Sequence, residues 1–242
     1  MNKTMIYAHR GANREAAENT RTAFERALAY PIDGIETDVQ LSRDGIAVLW
    51  HDRDLKKLGL PGKRIDDYGY RQLREMDFAA HFTGAPAEGV MSLQDFVAAY
   101  RARCGLLLEI KNRGWEDVAR HEMKVRQTLA LAGDGMLVSS FNASSLVYAH
   151  DIAPDFPLVL NLEPEHTVND ARSALDTHPF LRGLCVEIST LDTDMVGLLR
   201  ERNKAVAVYT CDSDAEIERA LTLKVDILIS DVPQKALQMR DR

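Results

Sequence analysis

Short apolar runs alternate with segments of helical period along nearly the whole chain. Nine runs read as strands: 5–8, 34–39, 46–50, 106–110, 136–140, 157–162, 184–188, 205–210 and 226–230. They are rich in Val, Ile, Leu and Tyr and too short for helices. Most are continuous rather than alternating, the pattern of parallel strands buried on both faces. Helical segments lie between them. Segment 19–30 opens on Asn19 as a cap and turns Ala23, Ala27 and Leu28 toward one face. Segment 92–103 starts on Ser92 and Asp95, a capping-box-like pair, and 115–133 stops at Gly133. Segments 192–203 and 212–223 begin with acidic residues, which suit a helix N-terminus.

Nine strands are one more than an α/β barrel of the (β/α)₈ TIM type needs. The run 46–50 is the exception, because it follows 34–41 across Asp44-Gly45, a type I′ hairpin signal. Residues 34–50 therefore read as one long strand that leaves the sheet, turns and returns. With Asp44 and Gly45 as the loop, Arg43 pairs with Ile46, and Asp38 comes opposite His51. Each of the eight other strands is followed by a connection long enough for a helix, which points to a closed parallel barrel. No shift in composition marks a second domain, so 1–242 is expected to be a single barrel domain. Its one irregular stretch, 53–91, carries Gly59, Pro61, Gly62, Gly84 and Pro86 and reads as an insertion at the barrel mouth, with a short helix near 69–76.

Composition narrows the class. Apolar residues make 45% of the 242 and charged residues 28%, which excludes a disordered chain, a collagen-like chain and a disulfide scaffold. The net charge of −7 argues against nucleic-acid binding and weakly against docking on anionic membranes. Cys104, Cys185 and Cys211 form no C-x-x-C pair and read as reduced thiols. No leader-like segment or long apolar run is present, so no membrane insertion is expected and the expected location is cytoplasmic.

Barrel enzymes build their sites at the C-terminal ends of the strands. Those ends bring His9 and Arg10, Glu36 and Asp38, and Glu109 and Lys111 together, and residues two apart on a strand share a face. Three converging carboxylates repel one another unless neutralised, and a divalent cation is the simplest answer. Oxygen ligands favour Mg²⁺ or Ca²⁺ over Zn²⁺. Two imidazoles beside such an ion, His9 and His51, suit a general acid and a general base. Arg10 and Lys111 suit an anionic substrate, with phosphate the usual partner. The set fits phosphodiester cleavage better than redox or acyl-transfer chemistry. No G-x-S-x-G, G-x-G-x-x-G or Walker A motif is present.

At AHRGANREAAENTRTAFERAL (8–28), GIETDVQLSRDGIAVLWHDRDL (34–55), LLLEIK (106–111), SSF (139–141) and VDILISDVP (225–233) the chain resembles the glycerophosphodiester phosphodiesterases. The resemblance implies a TIM barrel and a small-molecule glycerophosphodiester substrate. It further implies metal ligands at Glu36, Asp38 and Glu109, catalytic histidines at His9 and His51, phosphate contacts at Arg10 and Lys111, and a supporting role for Glu18 and Asn19. The sequence departs from the family pattern at Tyr209-Thr210-Cys211-Asp212, where the family often has Trp-Thr-Val-Asn. It departs again at Leu55-Lys56-Lys57-Leu58, where Arg-Thr-Thr is common, and at Met91, usually Pro. These departures bear on substrate choice.

Plainer readings stand beside these. Glu36 and Asp38 could pair with Arg10 and Lys111 and need no metal, or Lys111 could be a solvated rim residue. Tyr209 either stacks on substrate or fills the barrel. Glu187 reads as a salt-bridge or water contact at the end of its strand, Cys211 as packing, and His81, His121, His150, His166 and His178 as surface. Action on a lysophospholipid would need an apolar track at the mouth, for which Phe78, Phe82 and Met91 are candidates. A non-catalytic phosphate-binding barrel is the reading from a different class.

Overall fold

The computed structural model describes residues 3–242. Eight parallel strands close into a barrel: β1 (Met5–His9), β2 (Gly34–Leu41), β4 (Gly105–Ile110), β5 (Met136–Ser140), β6 (Leu158–Asn161), β7 (Gly183–Glu187), β8 (Ala205–Tyr209) and β9 (Ile227–Ser230). β1 pairs with both β2 and β9, which seals the barrel. The helices α1 (Arg21–Leu28), α2 (Tyr70–Glu75), α3 (Leu93–Tyr100), α4 (Val118–Leu131), α5 (Ala143–Ile152), α6 (Val168–Thr177), α7 (Thr193–Glu201), α8 (Asp214–Thr222) and α9 (Pro233–Arg240) lie in the connections. The expected TIM barrel is therefore the fold. Every expected strand is present.

The caps explain most helix starts. Ser92, Asp117, Asn142, Thr167, Asp192 and Ser213 each accept a hydrogen bond from a backbone amide in the first turn. Asn19 does not cap α1. Thr20 does, and Asn19 sits just before it with a left-handed backbone, φ 58°. One apolar cluster fills the layer between barrel and helices, and a second, including Tyr7, Leu107, Val159 and Ile229, fills the barrel interior. The Tyr7 ring occupies space that a side chain at Gly34 or Gly105 would take, since a Cβ at either would fall within 2.4 Å of it.

The hairpin departs from its expected register. The return strand β3 (Ala47–Leu49) pairs Leu41 with Ala47, Gln40 with Val48 and Val39 with Leu49. The loop is three residues, Arg43 to Gly45, with Gly45 at φ 79° and the Gly45 amide bonded to the Ser42 carbonyl. Asp-Gly serves such a bulged loop as well as a two-residue turn. Trp50, not His51, comes opposite Asp38, and its amide donates to the Asp38 carbonyl at 3.1 Å. Trp50 is buried and lines no part of the mouth. Trp50 packs edge-on to Phe78 at 5.2 Å in a separate cluster with Val48, Leu55, Ile65 and Leu73, under the segment that follows β3. Trp50→Ala is expected to lower stability by about 3–5 kcal/mol in denaturant titration, with the segment around 55–78 the first to gain hydrogen exchange.

Candidate active site

Two successive left-handed residues end β1: Arg10 at φ 56° and Gly11 at φ 84°. Side chains on a regular strand alternate between faces. This kink breaks the alternation, so His9 and Arg10 both line the same pocket. Gly11 is forced as well, because a Cβ there would lie 2.6 Å from the Ala23 carbonyl carbon. Glu36 and Asp38 come from β2, and Glu109 sits directly beside Asp38 in the parallel register of β4.

Oxygens of Glu36, Asp38 and Glu109 lie within 4.8 Å of one another, and all three residues are buried. Lys111 is buried too, not at the rim. Its ammonium is 2.8 Å from Asp38 and 2.5 Å from Glu109. Arg10 Nε lies 3.1 Å from the other Asp38 oxygen. Two cations thus answer Asp38 and Glu109, whereas the metal-free reading paired Glu36 and Asp38, and Glu36 is left over. Glu36 Oε2 is buried without a hydrogen-bond partner, and the basic group nearest it is the His9 ring, with Nε2 at 3.9 Å. Burial first, then the Asp38 and Glu109 charges, push the Glu36 carboxyl well above the usual range. Lys111 and Arg10 hold Asp38 well below it. A three-oxygen cluster with one unanswered carboxylate fits a hard divalent cation.

Each histidine is oriented by an acid on Nδ1. His9 Nδ1 is 2.6 Å from Asp231 Oδ1, and His51 Nδ1 is 2.8 Å from Asp52 Oδ1. A carboxylate there selects the Nδ1–H form and leaves Nε2 free to exchange a proton. Burial, then the Arg10 charge, lowers the His9 pKa against the opposing pull of Asp231. Asn13 and Arg14 also reach Asp231, at 2.6 and 2.8 Å.

His51 lies beyond the end of β3, so no strand register places it. Gln40 and Arg113 do. Gln40 Nε2 donates to the carbonyls of Trp50 at 2.7 Å and Asp52 at 2.9 Å. The Arg113 guanidinium donates to the carbonyls of His51 and Asp52 and to Gln40 Oε1. His51 thereby reaches the pocket of His9, Glu36 and Glu109 by a route other than the expected pairing with Asp38.

The 18–19 pair braces the site. Glu18 bonds Arg10 at 3.1 Å and Lys57 at 2.9 Å, and Asn19 donates to Asp38 at 2.9 Å and accepts from Thr37 at 2.7 Å. Glu18, His51 and Asp52 form a second acidic cluster, but the Lys57 ammonium already bridges Glu18 and Asp52. Asp231, Asp52, Lys57, Arg113 and Gln40 were given no role from the sequence. Only Asp52, next to His51 in an HD pair, carried a local signal.

Other readings sort cleanly. The Tyr209 ring lines the pocket, edge-on to Phe141 at 5.7 Å, while its hydroxyl donates to the Leu162 carbonyl at 2.6 Å. Cys211 is packed in the core, and Glu187 accepts from the Ser189 amide at 2.8 Å. His121 is not a surface residue: it lies between α4 and α5, 2.8 Å from Ser145 Oγ. His150 stacks on Phe180 at 4.2 Å. Phe78 and Met91 are buried in the apolar clusters, so they form no track at the mouth. No helix among the described residues is long and apolar enough to cross a membrane.

Known proteins resemble this chain in sequence and fold. The model of the glycerophosphoryl diester phosphodiesterase family matches residues 9–235. A glycerophosphodiester phosphodiesterase of Bacillus altitudinis is 30% identical, covering 98% of each chain. A phosphodiesterase of Oleispira antarctica, solved with the product sn-glycerol-3-phosphate, superposes with a TM-score of 0.87 at 24% identity, covering 99% of this chain and 98% of that one. A lysophospholipase D of Mus musculus is 33% identical over 118 residues, 46% of this chain and 36% of that protein. With the family match spanning the barrel and both histidines, this chain belongs to the glycerophosphoryl diester phosphodiesterase family and is a glycerophosphodiester phosphodiesterase.

Proposed function

We propose that the enzyme hydrolyses glycerophosphodiesters to sn-glycerol 3-phosphate and an alcohol, with a bound Mg²⁺ or Ca²⁺ and with His9 and His51 as the acid–base pair. The observation that carries this is the pairing of two imidazoles, each held by a carboxylate on Nδ1, around a buried acidic trio with one unanswered member. Glu36, Asp38 and Glu109 would hold the cation, which supplies Lewis-acid polarisation of a phosphoryl oxygen when bound. Arg10 and Lys111 are placed to neutralise the diester anion. The Tyr209 ring, its hydroxyl already committed, offers a flat wall to the substrate. One histidine Nε2 removes the proton of the attacking hydroxyl or water, and the other protonates the departing alkoxide. We read 1–242 as one barrel domain, with 53–91 as the insertion that brings Lys57 to the mouth.

The partial likeness to a lysophospholipase D supports a second reading, in which the glycerol arm is acylated. Phe141 and Ile110 are the only large apolar side chains on the wide groove at the mouth, which leaves little for an acyl chain to cover. Turnover of glycerophosphocholine and lysophosphatidylcholine at matched concentration separates the two, since only the acyl chain differs. Release of sn-glycerol 3-phosphate from the first, with little or no choline from the second, is the expected result. Faster release of choline from the lysophospholipid would replace the first reading with the second.

A further inference from the structure

The inner pocket is small, about 160 Å³, and walled by Leu107, Ile229, Cys185 and Tyr209 behind the acidic trio. At about 30 Å³ per water it holds roughly five water volumes. That is room for a phosphoryl group and one short arm, not for both arms of a diester. A second cavity of about 810 Å³ opens beside it, and the two share His51, Glu109, Lys111 and Phe141. The reacting phosphorus belongs at that junction. Every glycerophosphodiester has the same glycerol arm, which suits the closed pocket. The variable alcohol is left to the open groove.

The groove has its own chemistry. Its walls carry five cationic side chains and four carboxylates, in a chain whose net charge is −7. Lys57, Lys111, Asp52 and Glu109 are spent on one another or on catalytic partners. Arg113 is spent on backbone carbonyls. Asp54 accepts from the Lys56 amide at 3.0 Å. Arg53 and Lys56 remain. Both are exposed, and neither side chain makes an ion pair or a hydrogen bond among the described residues. The Arg53 charge also bears on Arg113, so like charges face each other across this wall. Glu163 is the one carboxylate of the groove left without a partner. Because hydrogen bonds to backbone groups leave the Arg113 and Asp54 charges unneutralised, the unpaired charge of the groove is three positive against two negative.

We infer that this groove is the subsite for the alcohol arm and that Arg53 and Lys56 select an alcohol carrying negative charge, such as a phosphorylated polyol. The inference rests on the proposed function and names its substrate class. Two unpaired cations beside the path of the leaving alcohol attract an anionic arm and repel one with fixed positive charge.

The test compares kcat/KM for glycerophosphoinositol 4-phosphate, whose alcohol bears a phosphate, with that for glycerophosphocholine, whose alcohol bears a quaternary ammonium. Mg²⁺ and Ca²⁺ are each supplied in parallel assays. The wild-type enzyme should favour the first, and rising ionic strength should erode the preference. In the double variant R53E/K56E the ratio should fall by about tenfold or more, mainly through KM. Unchanged circular dichroism and melting temperature would show the fold intact. A wild-type enzyme that cleaves both diesters at a ratio that the double variant leaves within about twofold overturns the inference and spares the proposed function. A wild-type enzyme that cleaves neither overturns both.

Discussion

Alanine in place of His9 or His51 is expected to lower kcat by about 10²–10⁴, the range for loss of a general acid or base. Affinity for sn-glycerol 3-phosphate should change far less, because neither imidazole belongs to the acidic trio. The proposed mechanism also divides the roles. His9 lines only the inner pocket, whereas His51 lines both the pocket and the groove that would take the leaving alcohol. His9 has its pKa lowered by burial and by Arg10, so it stays neutral at pH 7, with Nε2 bare and able to accept a proton. We therefore propose His9 as the base and His51 as the acid. A diester with a p-nitrophenolate leaving group needs no proton on departure, so it should rescue H51A and leave H9A slow. Rescue of H9A alone would reverse the assignment. Near-wild-type kcat in both variants would remove catalysis from this pair. The rate against pH should be bell-shaped, with apparent pKa values that belong to the pair. The lowered His9 pKa also enters stability. Its contribution is complete above the ordinary histidine pKa of about 6.5 and is lost as pH falls through the folded value.

Chelation is expected to abolish turnover, and Glu36→Gln should do the same without destabilising the metal-free protein. The reason lies in the charge count at the trio. Asp38 and Glu109 have Lys111 and Arg10, while Glu36 has no cation closer than the His9 ring. Without an ion, the raised Glu36 pKa means that this residue keeps its proton at pH values where an ordinary carboxyl has lost it. A group with a raised folded pKa contributes stability that is present below the unfolded pKa and lost as pH rises through the folded one. Adding Mg²⁺ or Ca²⁺ displaces that proton, so binding should release protons and tighten as pH rises. The melting-temperature gain on adding the ion should therefore be larger at pH 8 than at pH 5. At a hundredfold excess over Kd the stabilisation is about 2.7 kcal/mol. Glutamine copies the protonated carboxyl, so E36Q should match the metal-free enzyme in stability and fail in both ion binding and turnover. A chelated, metal-free preparation that turns over diesters at full rate would end the metal assignment.

The barrel was legible in the sequence because parallel strands buried on both faces leave continuous apolar runs, and most of the eight barrel strands do so. Helices α5, α6 and α9 followed only from the lengths of the connections. The caps at Asn142 and Thr167 were nonetheless there to be read. Glu36, Asp38 and Glu109 converge as expected because i, i+2 spacing on neighbouring strands fixes their side. The hairpin register was not legible, since Asp-Gly fits two loop types that differ by one residue. The Arg113–Gln40 brace on His51 depends on the path of the chain after β3, which no local pattern encodes. Asn19 looked like a helix cap because caps and left-handed turns favour the same residue. Asp231 stands one residue past Ser230, which pairs with Ala8 just before His9. Its role becomes visible only once the first and last strands are known to meet.

That meeting sets an order of events for the folding chain. The acidic trio needs only β2 and β4, whose members lie side by side with Asp38 against Glu109. The His9–Asp231 bond spans 222 positions and exists only when β9 has docked on β1. Contacts of such separation carry the largest loop-closure cost and form late. A refolding chain should therefore assemble its acidic trio before it recovers the His9–Asp231 pair, and turnover should return after the bulk of the helical signal. Activity in this enzyme would then report that the ring of strands has closed, which ellipticity alone does not.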